Sequence, residues 1–418
     1  MTRPAILLIN RVYPPVWGAT GRLLRDLARS LARKGWDVTV LTTGPNVTPE
    51  EWDGGVRVVR VKGPEKPRYM LGYIGVWVKL LWMALRMAPR DLVVTMTDPP
   101  FLATVGGVLS LVKKSRHIHW CQDLYPDLFA PFSIRLPRIL LKICQALSRF
   151  GMKRADKVVV IGRCMHEVLE AAMPDSRKLV FIPNWPDFEL SFPQTRVGFN
   201  QASVVEPEAY DEVLNGFRLH NDQIKHGPKF RVLYAGHIGR AHPVETILEA
   251  ARILQEDHPE IDFVFVGNGP QHTRLIQERL KQGLENIRLL PYQPAERLKD
   301  LMESGDVHLV SLQEDAVGMV VPSKLYAALA AHRPCIFIGP SDSEVAKVIE
   351  EFGAGVVVPQ GAGAQLAEEI RQLRLSSDRW FSAHTGAGSA AGVYVPMTCL
   401  NIWSVLVQDL LESGHKVA

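Results

Sequence analysis

Residues 229–270 read KFRVLYAGHIGRAHPVETILEAARILQEDHPEIDFVFVGNGP. The run KFRVLYAG (229–236) is a strand, VETILEAARILQED (244–257) carries apolar residues at helical spacing, and IDFVFVGNGP (261–270) is a second strand closed by a glycine turn. Strand, glycine loop, helix and strand within about forty residues make a parallel βαβ unit. The alternation continues downstream. Helix 271–283, strand NIRLLPY (286–292), helix 294–304, strand DVHLVSL (306–312), helix 323–331, strand PCIFIG (334–339), helix 342–352 and strand GVVVP (355–359) follow. Upstream, AILLIN (5–10), DVTVLTT (37–43), DLVVTMTDPP (91–100), HIHWCQD (117–123), KVVVIG (157–162) and KLVFIPN (178–184) supply strands, and RLLRDLARSLARKG (22–35) a helix. The predicted class is therefore α/β: two doubly wound, Rossmann-like domains facing a cleft. Residues 1–193 form the first, a polar linker or insertion covers 194–228 with a short helix around 207–219, and residues 229–375 form the second. A helical tail, 376–418, contains NIWSVLVQDLLESG. Sheets of this kind bind ligands at the carboxyl ends of their strands, and two of them facing each other suit a small polar ligand.

A chain of 418 residues exceeds one ordinary core. Its 47% apolar and 22% charged content excludes a disordered, collagen-like or polytopic membrane protein. The five cysteines (121, 144, 164, 335, 399) contain no CxxC pair, which argues against a zinc site or disulfide framework and fits a reducing compartment. The net charge of +4 hides an asymmetry: residues 1–195 hold 28 basic and 16 acidic side chains (+12), leaving −8 for the remainder. The N-terminal apolar run is too short for a signal peptide, so a cytoplasmic start is expected.

Two basic, apolar stretches lie in the positive half. MLGYIGVWVKLLWMALRM (70–87) carries Lys79 and Arg86 and is barely long enough for a membrane span, which needs about 20 apolar residues, so a span is the least favoured reading. The choice lies between a buried core helix and an interfacial helix with Trp77 and Trp82 at the boundary. IRLPRILLKICQALSRFGMKR (134–154) is rich in Arg and Lys and has no acid. Together they predict contact with an anionic membrane surface, hence a peripheral protein on the inner face of the plasma membrane. No feature points to nucleic acid.

Three loops carry candidate chemistry. Val16-Trp17-Gly18-Ala19-Thr20-Gly21 joins the first strand and helix; small residues there let backbone amides approach an anion, although GxGxxG is absent. In Gly236-His237-Ile238-Gly239-Arg240-Ala241-His242 the glycines permit close approach and Arg240 suits a phosphate. In Val321-Pro322-Ser323-Lys324, Pro322 and Ser323 read as a helix start with Ser323 capping. Lys324 opposes the helix dipole, as a residue kept for an anionic ligand would. His117 and His119 alternate on a strand with no third ligand nearby, so packing is the better reading than metal binding.

With these loops in order, the chain resembles a GT-B-fold glycosyltransferase of the large retaining family 4, from about residue 5 to 375. The matching segments are YPPVWGATGRLLRDLARSLARKGWDVTVLT, CQDLYPDLF, ADKVVVI, IPNW, YAGHIGRAHPVETILEA, FVGNGP and PSKLYAALAAHRPCI. The nearest subgroup is bacterial surface-polysaccharide transferases. The resemblance implies a nucleotide-sugar, UDP-linked, in the C-terminal domain and a saccharide or polyprenyl-linked acceptor in the N-terminal one. It also implies transfer with retention, no metal, and a tail packing back on the N-terminal domain. The candidate catalytic residues are Asp123, Arg240 and Lys324. Donor-binding candidates are Gly18, Gly236, His237, Gly239, His242, Gly267, Asn268, Tyr292, Glu314, Ser323 and Glu344; acceptor-binding candidates are Asp98, Gln122 and Tyr125. Asn184 is expected to tie the domain crossing.

The departures are specific. The family's phosphate-binding Arg and Lys fall on His237 and His242, which carry charge only near pH 6.5 and below. Arg240 and Lys324 are expected to take over part of that duty. The two glutamates of the family's E-x7-E motif fall on Met319 and Ala327, and its His-Asp pair reads Gln122-Asp123. An active transferase is therefore weighed against a catalytically weak nucleotide-sugar-binding subunit and a GT-B-type epimerase.

Overall fold

The structure is a computed structural model describing residues 3–16, 18–45, 51–64, 67, 70–173, 175–191 and 229–414. The linker expected over 194–228, with its helix near 207–219, lies outside the described residues. Two compact units emerge. The first comprises residues up to Asn184, Gly318–Val321 and the chain from Met397; the second comprises Trp185–Val317 and Pro322–Pro396.

The first unit is built from β1 (Ala5–Ile9), α1 (Ala19–Arg33), β2 (Asp37–Gly44), β3 (Glu51–Asp53), β4 (Val56–Lys62), α2 (Met70–Arg86) and β5 (Leu92–Thr95). Then come α3 (Leu102–Val112), β6 (Arg116–Cys121), α4 (Arg138–Arg154), β7 (Lys157–Val160), α5 (Arg163–Ala172) and β8 (Leu179–Phe181). The strands form one sheet in the order β3-β4-β2-β1-β5-β6-β7-β8, parallel except for the short β3 against β4. The chain winds from β1 to one edge and returns to β5 at its other side. The crevice between the carboxyl ends of β1 and β5 is thus the switch point where such sheets bind ligands. The β3–β4 hairpin is absent from the sequence-based prediction, although Gly54-Gly55 between EWD and VRVVRVK is a hairpin signal.

Buried strands explain the continuous apolar runs. Leu7, Ile9, Leu41 and Val93 pack with Val76, Leu80 and Ala84, one face of α2, and with Leu102, Val105 and Leu109 of α3. The α2 stretch is thus a core helix on one side only. Helix α3 has glycines where neighbours press closest. A Cβ on Gly106 would lie 2.1 Å from His117 Nε2, and one on Gly151 of α4 would lie 2.6 Å from the Ala103 backbone. His117 and His119 are buried, and Thr95 Oγ1 joins both rings at 2.9 and 3.1 Å. Burial drives their pKa values down to about 3 and about 4, so both are neutral packing residues. Gly106→Ala is expected to destabilise the protein by roughly 2–4 kcal/mol despite alanine's better helix propensity, because it displaces a hydrogen-bonded buried ring. Urea unfolding measures it; a variant as stable as wild type contradicts this packing.

The second unit contains β9 (Phe230–Ala235), α6 (Glu245–Asp257), β10 (Ile261–Val266), α7 (His272–Gln282), β11 (Ile287–Leu290), α8 (Leu298–Ser304) and β12 (Val307–Ser311). It continues through α9 (Lys324–Ala330), β13 (Cys335–Ile338), α10 (Glu344–Phe352), β14 (Gly355–Val358), α11 (Gly363–Leu375) and α12 (Ser377–Val393). The sheet is wholly parallel, β11-β10-β9-β12-β13-β14, with its switch point between β9 and β12. Val232, Phe263, Phe265, Leu254, Ile370 and Trp380 share its core. The tail is two helices, α12 in the second unit and α13 (Pro396–Gly414) in the first, where Trp403 packs on Trp120 with ring centroids 4.7 Å apart. By length and composition the run Ser377–Ser413 could cross a membrane, but it is broken at 394–395, and 44% of its apolar 18-residue window is buried.

Candidate functional site

In the second unit, the loops after β9 and β10 lie against each other at the switch point. Gly236 N–H donates to Val266 O (2.8 Å) and Ile238 N–H to Asn268 O (3.0 Å). The fit is close: Gly267 has φ +138°, and a Cβ there would fall 2.2 Å from Gly236 O. Only glycine allows that approach. Lys324, at the start of α9, lays its side chain over this loop. Its Cε lies 3.4 Å from where a Cβ on Gly236 would be, and Nζ sits 5.1 Å from the centre of the Tyr234 ring. Burial pulls its pKa from the usual lysine value down to about 8, so the ammonium is retained at neutral pH, with the ring face as partial compensation.

The neighbouring histidines divide. His242 turns Nδ1 to the carbonyl of Ser311 on β12, fastening the loop across the switch point. Burial, the Lys324 charge and His237 push its pKa down to about 3, against the favourable backbone hydrogen bond. The expectation that His242 could charge near pH 6.5 is therefore corrected: it is a neutral strut. His237 is exposed, with Nδ1 3.5 Å from the hydroxyl of Tyr292, which also donates to Asn268 O at 3.4 Å. His237, Asn268 and Tyr292 thus form one rim. Gly239 is buried beside both histidine rings, and Arg240 is exposed on the turn that follows.

The remaining donor candidates are more dispersed. Glu314 is exposed on a one-turn 3-10 helix after β12. Ser323 precedes α9 in helical geometry with no side-chain capping bond, which corrects its expected role as a cap. Glu344 is 2% exposed in the first turn of α10, where Ser343 Oγ accepts from Ala346 N–H at 3.3 Å. Its buried carboxylate suits the positive end of that helix.

In the first unit, Asp98 and Asp123 stand at the ends of adjacent strands β5 and β6. Arg11, one strand over and absent from the sequence-based candidates, forks Asp98: Nε and Nη2 each reach a carboxylate oxygen at 2.7 Å. Asp123 has a weaker polar partner, Thr97 Oγ1 at 3.4 Å. Burial and the Asp98 charge raise the Asp123 pKa to about 7, outweighing the Thr97 bond. Tyr125 packs edge-on against Phe101 and tilted against Phe129, and burial with the charges of Asp123 and Asp98 raises its pKa well above the usual phenol value. Tyr73 of α2 faces the Arg11 guanidinium at 5.9 Å. Gln122 departs from its expected acceptor-binding role. It is buried, and its amide is turned into Asn184: Nε2 donates to Asn184 Oδ1 (3.0 Å) and Asn184 Nδ2 to Gln122 Oε1 (2.8 Å). Asn184 is the last residue of its segment in this unit, tied by that pair. Gly18 is exposed in extended backbone just before α1, with its Cβ position 2.9 Å from Val12 Cγ1.

Each unit thus carries its own cluster, of different chemistry: in the second a cation on a glycine cradle, in the first a carboxylate pair with aromatic neighbours. The cation suits a phosphate, the carboxylate pair a hydroxyl-bearing molecule. Among the described residues, no group of three or more His, Cys, Asp and Glu could hold a metal ion.

Comparison with known proteins bears on both clusters. Residues 18–185 match the family "Glycosyl transferase 4-like domain" and residues 217–379 match "Glycosyl transferases group 1". The chain is 27% identical over 291 residues to WbjE of Pseudomonas aeruginosa, named as a glycosyltransferase, covering 69% of this chain and 68% of that one. It is 26% identical over 396 residues to WcaI of Escherichia coli (strain K12), named as a colanic acid biosynthesis glycosyl transferase, covering 88% and 92%. The crystal structure of Anabaena HepE in complex with UDP superposes with a TM-score of 0.68 at 14% identity, over 97% of this chain and 100% of that one, and shares its fold.

Proposed function

The chain belongs to the glycosyltransferases of the GT-B fold, family 4 type, and we propose that it transfers a sugar from a UDP-sugar to a saccharide or polyprenyl-linked acceptor, with retention, in bacterial surface-polysaccharide synthesis. The observation that carries the donor half is Lys324, an ammonium held between the Gly236 backbone and the Tyr234 ring at the switch point of the second sheet. In the proposed step the bond from the anomeric carbon to the diphosphate breaks, and the bond to the acceptor oxygen forms on the same face. Charge then accumulates on the leaving diphosphate, where Lys324, with Arg240 on the adjoining turn, stabilises it. Before transfer, Asp123 orients the acceptor hydroxyl by accepting its hydrogen bond; as the leaving bond breaks, that same proton turns to the departing phosphate oxygen. The UDP bound by HepE supports the choice of nucleotide.

The test is a screen of UDP-, GDP- and TDP-sugars by mass spectrometry, with NMR of the product's anomeric configuration. Turnover only with a GDP- or TDP-sugar, or an inverted product, replaces that part of the reading. Loss of activity in EDTA, restored by a divalent cation, overturns metal independence. Nucleotide-sugar binding without turnover would favour the binding-subunit alternative.

We further propose that the first unit docks on an anionic membrane from the cytoplasmic side. Outside the core face of α2, Leu71, Ile74, Val78, Trp82 and Leu85 are exposed at helical spacing, with Arg86 over the Trp82 ring at 3.6 Å. On α4, Ile139, Leu140 and Ile143 are exposed beside the exposed Lys142, Arg149, Lys153 and Arg154. Apolar side chains flanked by cations suit an interface of acyl chains and acidic headgroups. Lys142→Glu/Arg149→Glu is expected to weaken co-sedimentation with phosphatidylglycerol vesicles at least about thirtyfold, at about 1 kcal/mol for each of the two cations lost. Equal binding to neutral and acidic vesicles contradicts the proposal.

A further inference from the structure

Gly318–Val321 belongs to the second half of the sequence, yet it folds as part of the first unit. Val320 forms an isolated antiparallel bridge with Asp123, and the Leu124 N–H donates to the Met319 carbonyl at 2.8 Å. Strand β6 has already ended at Cys121. These bonds therefore catch the backbone that carries Asp123 where it has run past the sheet's own ladder.

Gly318 sets the path of the segment. Its φ is +72°, a conformation that disfavours a side chain. The space is closed as well: a Cβ would meet Val168 Cγ2 at 2.5 Å and the Cys164 carbonyl oxygen at 3.0 Å, both on α5. Any other residue at 318 must push the segment off α5, and the Met319 carbonyl must move with it.

We propose that Gly318–Val321 is a positioning element for Asp123, with Gly318 its key residue: α5 seats Gly318, Gly318 places the Met319 carbonyl, and that carbonyl fixes the chain at Asp123-Leu124. The link runs through the backbone, so it tolerates methionine at a position where the resembled family carries glutamate. The inference rests on the reading of Asp123 as the carboxylate that receives the acceptor hydroxyl.

The experiment compares wild type with Gly318→Ala, Val168→Ala and the double variant, using the ligand-free protein. Hydrogen exchange is followed by mass spectrometry on peptides containing Leu124, and Asp123 protonation by the pH dependence of carbodiimide labelling. Gly318→Ala is expected to speed exchange at Leu124 at least tenfold and to move the Asp123 midpoint away from about 7, while β5 and β7 peptides keep their protection. Val168→Ala alone leaves both readouts as in wild type. Combined with Gly318→Ala it recovers part of the loss, because the shortest contact has been removed. Unchanged Leu124 exchange and midpoint in Gly318→Ala overturn the proposal, and so does faster exchange spread evenly through the unit. The catalytic reading fails separately: it is lost if Asp123→Asn transfers sugar from the UDP-sugar panel at the wild-type rate, whatever the exchange data show.

Discussion

Lys324→Met is expected to lose at least a hundredfold in kcat while unfolding at a higher temperature than the wild type. The rate loss follows from removing the half-buried cation proposed to meet the charge that develops on the leaving diphosphate; one such group is worth about 10²–10³ in rate. The stability gain follows from linkage. Burial lowers the Lys324 pKa from 10.5 in the unfolded chain to about 8 in the folded one. Between those values the unfolded chain binds more protons, so stability rises with pH across that window. Below pH 8 the native state carries the full cost of a desolvated ammonium, which methionine removes. The gain should be visible at pH 7, at roughly 2–4 °C per kcal/mol, and fade towards pH 10.5. A variant that loses both activity and stability has merely misfolded; one that keeps its activity removes Lys324 from the chemistry. In the wild type, the same pKa makes the rate fall as pH rises through about 8. Lys324→Arg should lose that alkaline limb, although its planar head will not fit the same cradle.

The contrast between Lys324 and His242 shows where the sequence stops being readable. The parallel sheets were legible because buried strands are continuous apolar runs and their loops are punctuated by glycine. Gly236, Gly267 and Lys324 were legible as candidate loop residues from residue type and loop position, and the structure brings them together. What His242 does was not. Its neutrality depends on burial and on a carbonyl 69 residues away on β12, which no local pattern encodes. Arg11 was missed for the same reason: its partner Asp98 lies 87 residues on and becomes its neighbour through the β1–β5 register. Gln122 was misread because an amide beside a catalytic candidate looks functional until its partner Asn184 is known. Composition did separate the basic first half from the acidic second, and the structure adds that exposed basic side chains of α4 lie beside exposed apolar ones.

Asp123→Asn is expected to reduce kcat/KM by about 10²–10³ under the proposed mechanism, because the amide presents a weaker acceptor to the incoming hydroxyl. The size of the loss should depend on pH. In the wild type the Asp123 pKa is raised to about 7 by burial and by Asp98, so the carboxylate forms only as pH rises through 7. With Lys324 losing its charge near 8, wild-type kcat/KM should be a narrow bell centred between the two values. Asp123→Asn should remove the acid limb and leave the alkaline one. Stability moves in the opposite sense to activity: a carboxyl with a raised native pKa costs stability as pH climbs from the ordinary aspartate range through 7, so the asparagine variant should gain stability at pH 7 and above. Asp98→Asn then tests the origin of the shift. It removes the charge that helps raise Asp123 and leaves the Arg11 guanidinium without its carboxylate, and both changes favour ionisation of Asp123. The acid limb must therefore move below pH 7. Movement upward would mean that Asp98 and Asp123 do not share a field, and the two-carboxylate reading of the first unit would fall with it.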